Sequence, residues 1–377
     1  MNAGTIIVGG ALANKAGQGG EAWVRLNWVL GFQALGWRVL FLEQLAGQPD
    51  RAAVAYFRGV TGRFGLADSA ALIGADGATL CGWPAARIAE FAAEAEALIN
   101  ISGHLTYAPV FERVRRRVYV DIDPGFTQFW HAAGNDGARL RGHDCFFTIG
   151  ENIGAPGCPI PTGDIHWRKT RPPIVLDRWP RVTVPFDRFT TIASWRGPFG
   201  TVEFGGQTFG LKVHEFRKFI ALPARAAGPF ELALNIHPAD AQDRAALVRN
   251  GWRIVAPSVA QQPEDFQNYI QRAGAEFSVA QGIYVQTRCG WFSDRTAAFL
   301  ATGKPALVQD TGFTRHLPTG EGLFAFQNLD EANAGAAEIT AHYERHCAAA
   351  RALAEAHFDS RKILTQLLAE IGGGGSV

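Results

Sequence analysis

The stretch from Glu276 to Gly312 constrains the fold of this chain more than any other. Phe277–Ala280 is a short apolar run flanked by polar residues, the pattern of a buried strand. A loop holding Gly290 follows. A helix is expected to begin near Ser293, capped by Ser293 or Asp294, with Ala297, Ala298, Phe299, Leu300 and Ala301 as its body. Gly303 stops that helix and Pro305 prevents any continuation. Ala306–Gln309 then forms the next parallel strand, ending at Asp310, Thr311 and Gly312. This is a βαβ unit. Its loops lie at the carboxyl ends of the strands, where open α/β sheets take their ligands.

Length and composition set the frame around that unit. A chain of 377 residues exceeds one ordinary core, and two domains of about 150–200 residues are the natural expectation. At 47% hydrophobic and 19% charged it can fill both cores, and a net charge of +1 gives no electrostatic reason to expect a nucleic-acid polymer as partner. Cys81, Cys145, Cys158, Cys289 and Cys347 are scattered, without a C-x-x-C pair or metal-ligand spacing. That pattern fits a reducing, cytoplasmic setting and no bound metal. The opening residues lack a basic segment of the signal-peptide kind, and no run of about 18 apolar residues occurs, so no transmembrane segment is expected.

The same alternation recurs along the chain. Thr5–Val8 is a strand, Glu21 to about Leu35 a helix stopped by Gly36, and Arg38–Leu42 a strand ending at Glu43. Gly17-x-Gly19-x-x-Ala22 with Glu43 mimics a dinucleotide fingerprint, but its first glycine falls well past the end of the strand, where the fingerprint needs it at the turn. Gly17, Gly19 and Gly20 are better placed as a glycine-rich loop on the acceptor side of a cleft, or as a plain turn. Ala52, Ala53 and Ala55 suggest a short helix after Pro49. Ala85–Ala97 is helical, and Ala97–Ser102, Val118–Asp123 and Phe146–Gly150 are strands. The arginines of Arg113–Arg117 mark a solvated helix end rather than a nucleic-acid groove. Prolines at 172, 173, 180 and 185 mark a stiff connector. The second half restarts at Phe189–Ala193. Strands Phe230–Asn235 and Trp252–Val255 follow, with helices Lys212–Ile220, Ala239–Asn250 and Gln262–Ala273 among them. Ala336–Ile371, free of proline and glycine, should be almost wholly helical. The expected organisation is a first domain over 1–165, a connector over 166–187 and a second domain over 188–350. A helix over 351–371 returns toward the first domain, and a flexible tail covers 372–377.

Three segments, Gly290–Arg295, Ala301–Pro305 and Asp310–Gly312, resemble the donor-sugar half of GT-B glycosyltransferases. Arg288-Cys-Gly-Trp-Phe-Ser293 is similar to the His-Cys-Gly-Trp-Asn-Ser motif of some inverting members. Many retaining members carry two glutamates that would align near Gly290 and Ala298, and neither position is acidic here. The resemblance implies an α/β chain of two Rossmann-like, doubly wound domains facing across a cleft. It implies a nucleoside-diphosphate sugar such as a UDP-sugar as co-substrate on the second domain, a small-molecule or glycan acceptor on the first, and no cofactor or metal. Donor contacts would then come from Trp195, Arg196, His237, Arg288, Gly290, Trp291, Ser293, Asp294, Arg295, Asp310, Thr311 and Gly312. For each, local capping or packing is the competing explanation.

His104 and Asp123 end successive strands of the first half and are the candidates for removing an acceptor proton, with Glu151 a weaker third. The function expected is transfer of a sugar to an acceptor in the cleft. The alternatives are an NAD(P)-dependent oxidoreductase, and a sugar- or nucleotide-binding protein of the same fold without catalysis. A screen of nucleoside diphosphates, their sugars and NAD(P) separates the first two, and turnover separates the third.

Overall fold

The computed structural model describes residues 4–48 and 50–372. Pro49 lies outside them, as does the expected tail apart from Gly372, which closes a helix. The first sheet comprises β1 (Thr5–Gly9), β2 (Arg38–Gln44), β3 (Ala70–Ile73), β4 (Thr79–Gly82), β5 (Ala97–Ile101), β6 (Arg117–Asp121), β7 (Cys145–Thr148) and β8 (Trp167–Lys169). Their order is β4-β3-β2-β1-β5-β6-β7-β8, parallel except where β4 returns antiparallel to β3. The central strands are buried on both faces, which is why they are near-continuous aliphatic runs such as Thr5–Gly9.

The second sheet holds β9 (Phe189–Ser194), then, after a separate hairpin of β10 (Val202–Phe204) and β11 (Gln207–Phe209), β12 (Phe230–Asn235), β13 (Trp252–Val255), β14 (Ala275–Ser278), β15 (Ala306–Gln309) and β16 (Leu323–Phe326). Its order is β13-β12-β9-β14-β15-β16, all parallel. Strand order therefore reverses between β1 and β5 in one sheet and between β9 and β14 in the other. Each reversal opens a crevice beyond the carboxyl ends of the strands.

Three of the seams between the halves are made by whole helices or a hairpin. The Gly19–Ala34 helix docks on the second half, with the Trp23 indole donating to the Pro263 carbonyl at 2.7 Å. A Cβ on Gly19 would stand 2.3 Å from the Gln262 carbonyl oxygen and one on Gly20 2.8 Å from the Phe266 ring. Gly19 and Gly20 are thus the price of that close docking, not elements of an acceptor loop; only Gly17, with φ of +76°, has open space around it.

The β10–β11 hairpin turns at Gly205-Gly206, both with positive φ, and lays Phe209 and Phe204 on Phe129 at 4.8 and 4.9 Å. The third seam is the Ser360–Gly372 helix, which crosses to the first half. There Leu364 fills the space a side chain at Gly31 would need, and Arg168 donates to the Glu370 carbonyl at 2.9 Å. The expected unbroken helix over Ala336–Ile371 is instead three helices, Leu329–Ala341, Tyr343–His357 and Ser360–Gly372. The second break lets Phe358 stack on Phe292 at 5.0 Å and Ile174 pair with Asp359, so tertiary packing overrides helix propensity there.

Candidate functional site

The first sheet presents three tips at its switch point. Beyond β5 the backbone turns through Ser102 and Gly103, both at positive φ, and delivers His104. Beyond β6, Asp121 is fully buried and accepts from Thr127 Oγ1, Gln128 Nε2 and Thr148 Oγ1 at 2.7–2.8 Å. It also accepts from the Asp123 backbone N–H at 3.1 Å, which holds Asp123 at the rim. Beyond β1 the chain forms a short 3-10 turn, and the next helix brings Glu21 to the same rim, ion-paired with the buried Arg25. Glu43 does not reach the cleft at all: buried, it accepts from the Ala13 and Asn14 backbone N–H groups and Asn14 Nδ2 at 2.7–2.8 Å. A carboxylate so occupied cannot hold the ribose of a dinucleotide.

The second half supplies the opposite wall. Tyr284, on the short helix Gly282–Thr287, donates its hydroxyl to Asp123 Oδ1 at 3.3 Å and stacks on Trp291 at 4.5 Å. Arg288 follows in the left-handed conformation, with φ of +48°, and its guanidinium binds Asp310 Oδ2 at 2.9 Å. Asp294 is the first residue of the Asp294–Ala301 helix. Lys212 opens the Lys212–Phe216 helix, anchored by its backbone N–H to Gln281 Oε1 at 2.8 Å. Among the described residues Lys212 makes no ion pair.

The electrostatics tie these groups together. Burial, then the charges of Glu21 and Asp121, push the Asp123 carboxyl up to about 7. Burial, then Glu21, push Asp294 up to about 6. Glu21 therefore acts on carboxyls from both halves. Its own burial opposes ionisation, but Arg25 and Lys15 outweigh that and hold it below the usual range. Burial, then Arg25, Arg139 and Lys15, pull His104 down to about 3, so it is neutral at pH 7. Arg139 Nη1 donates to His104 Nδ1 at 2.9 Å, and a guanidinium cannot accept, so the His104 proton sits on Nε2. Burial, then Arg295, bring Lys212 down to about 7. Among the described residues no group of three or more His, Cys, Asp or Glu is placed to hold a metal. A separate surface cavity of about 290 Å³, lined by Val175, Asp177, Arg351 and Lys362 among others, shares none of these residues.

No protein-family model matches the sequence, and no curated protein is similar to it. Solved structures do share its architecture. Anabaena HepE in complex with UDP-glucose matches with a TM-score of 0.61 at 13% identity, over 98% of this chain and 99% of that one. An alpha-glucosyltransferase in complex with UDP-glucose and DNA containing an abasic site gives 0.58 at 13% identity, over 98% of both chains. A glycosyltransferase from Rickettsia africae gives 0.54 at 11% identity, over 100% of both. The chain has the GT-B fold.

Within the GT-B frame the expected site residues divide. His104, Asp123 and Asp294 all feel the charge of Glu21, Trp291 stacks on the Tyr284 that donates to Asp123, and Arg288 is tied to Asp310. Trp195 stands apart: it is buried, packs on Phe216 and donates to Asp243 Oδ2 at 2.9 Å. Arg196 is bound bidentately to Asp240, and exposed His237 caps the Pro238–Asp240 turn by accepting from Ala239 N–H at 3.1 Å. Arg295 is an internal brace, bound to Glu276, Ser278 and the Ile192 carbonyl. Asp310 is spent on Arg288 and on the Gly312 N–H, and Thr311 on the Trp291 carbonyl. Ser293 is buried and makes no side-chain cap bond. Gly290 and Gly312 hold positive φ and leave no room for a Cβ, which Asn152 of the first half would crowd at both and the Arg288 carbonyl oxygen at Gly312. Glu151 pairs with Arg171 at 2.9 Å rather than facing the cleft.

Glu21, Arg25, Lys15, Arg139, Tyr284 and Lys212, which the structure sets beside the expected residues, are not singled out by the sequence. A carboxylate in the first turn of a helix looks like ordinary dipole compensation, and only the facing of two distant tips shows otherwise.

Proposed function

We propose that this chain is a glycosyltransferase moving a sugar from a UDP-sugar to a small-molecule or glycan acceptor, without a bound metal. The observation that carries it is the pair of facing switch points in the GT-B fold. A carboxyl poised near neutrality, Asp123, lies on one wall and the Arg288 guanidinium on the other, with Lys212, brought down to about 7, in the same half. The UDP and UDP-glucose bound in the similar structures support the donor class.

In this reading the bond from the anomeric carbon to the diphosphate oxygen breaks with its electron pair going to UDP. Arg288, with Lys212 when protonated, offsets the charge that develops there. Asp123 accepts the proton of the attacking acceptor hydroxyl, and a carboxyl titrating near the working pH suits that task. His104, neutral with its proton on Nε2, donates a hydrogen bond to the acceptor and is not the base. Asp294, at the mouth of its helix, accepts from hydroxyls of the donor's ribose or sugar.

The oxidoreductase alternative loses its main support, since Glu43 is occupied by the Ala13–Asn14 backbone. The deciding experiment incubates the protein with UDP-sugars and a panel of hydroxyl acceptors and follows UDP release and product mass. Stabilisation by UDP of about 2.7 kcal/mol at a hundredfold excess over its dissociation constant is expected. Stabilisation by NADH and by no nucleoside diphosphate would reverse the assignment. Binding without turnover across the panel would favour the non-catalytic binder.

A further inference from the structure

Asn152 lies buried in the turn after β7, in the first half, yet its side chain binds only the second. Its Nδ2 donates to the Arg288 carbonyl at 2.7 Å and the Gly312 carbonyl at 3.2 Å, and its Oδ1 meets His316 Nε2 at 2.7 Å. Its backbone N–H adds a bond to the Cys289 carbonyl at 2.9 Å. Two carbonyls can only accept, so the amide nitrogen faces them and His316 must donate from Nε2.

The surrounding sequence is shaped around this side chain. A Cβ on Gly312 would stand 2.6 Å from the Arg288 carbonyl oxygen and 2.7 Å from Asn152 Nδ2, and one on Gly290 3.0 Å from the Asn152 backbone nitrogen. Arg288 holds a left-handed backbone, unfavourable for a non-glycine residue, and its carbonyl is the one gripped most closely. The Arg288 guanidinium, 41% exposed and tied to Asp310, is thus aimed by a backbone that Asn152 fixes. The adjacent Glu151 binds Arg171, whose Nη1 also reaches His357 Nδ1 at 3.1 Å, so the turn grips the connector as well.

We infer that Asn152 is a positioning residue, a pivot that sets the 288–290 and 310–312 loops, and through them the Arg288 guanidinium, against the first sheet. The inference rests on the proposed donor site.

It is tested with Asn152→Ala, which removes all three side-chain bonds, and Asn152→Asp, which turns a carboxylate oxygen toward two carbonyls. His316→Ala is the milder control that leaves the carbonyl bonds in place. UDP affinity is measured by calorimetry on protein shown to be folded by circular dichroism. Both Asn152 variants should lose at least about tenfold in affinity, and His316→Ala less. The Asn152→Asp loss should shrink as pH falls toward the carboxyl range, because the protonated acid regains a donor. Arg288→Ala should cost less in the Asn152→Ala background than in the wild type.

A folded Asn152→Ala protein with native UDP affinity overturns the inference, and so does simple additivity with Arg288→Ala. If the wild type itself binds no UDP, the donor-site reading fails separately. Small-angle scattering then decides the pivot: a larger radius of gyration for Asn152→Ala supports it, and an unchanged profile overturns it.

Discussion

Replacing Asp123 with asparagine should stabilise the protein above neutral pH while disabling it. Burial, then Glu21 and Asp121, raise the native carboxyl to about 7, against about 3.9 in an unfolded chain. The native state therefore holds the proton more tightly. This contribution to stability is fully present below about pH 4 and is lost as pH rises through about 7. Three pH units at about 1.36 kcal/mol each set a ceiling near 4 kcal/mol. Asp123 is only half-buried, and screening by cleft water reduces the expected effect to about 2 kcal/mol. Asparagine keeps the shape, still accepts from the Tyr284 hydroxyl and does not titrate. In urea unfolding, the variant should match the wild type near pH 4 and exceed it by about 2 kcal/mol near pH 8. UDP release in the presence of acceptor should fall by about a hundredfold or more. A stability difference that stays constant from acid to neutral pH would refute the raised carboxyl, and with it the assignment of Asp123 as base.

Three further outcomes are expected. Asp294→Asn should raise the unfolding midpoint modestly at neutral pH, by the argument made for Asp123, because burial holds the native carboxyl up to about 6 and no side-chain cap is lost. It should weaken UDP-sugar binding at least tenfold, about 1.4 kcal/mol, and unchanged affinity in calorimetry would remove Asp294 from the site. Glu43→Ala strips three acceptor bonds from the loop after β1 and should cost about 2–4 kcal/mol in denaturant unfolding; a loss within error would show that the loop holds itself. Treatment with EDTA should leave UDP-sugar turnover intact, whereas loss restored by manganese or magnesium would refute metal independence.

Much of the fold was legible because periodicity and punctuation are local. Phe230–Asn235, Trp252–Val255 and Ala306–Gln309 are strands with the boundaries their apolar runs suggest, and Gly36, Gly251 and Gly303 end helices as expected. The β10–β11 hairpin was not legible: its strands are three residues each, and its apolar face makes sense only against Phe129 of the other half. The site was harder still. Trp195, Arg196 and His237 sit at the strand ends that position alone would select, but Asp243, Asp240 and the Ala239 N–H consume them. Conversely, nothing in the sequence marks Lys212, which burial and the neighbouring Arg295 bring down to about 7. Glycines misled for a related reason. A ligand loop and a tight seam both demand a missing Cβ, and sequence cannot tell which partner stands 2–3 Å away.

The helix that crosses back gives the chain an order of completion. The groove at Gly31, on the first long helix, is covered by Leu364 and Ser360, and Arg168 is anchored by Glu370. Domains form as units during synthesis, amino-terminal portion first. On the ribosome, however, the first sheet must wait with this apolar groove uncovered while the whole second sheet is made. A stop codon after residue 358 would therefore leave the second half intact and deprive the first of its outer wall.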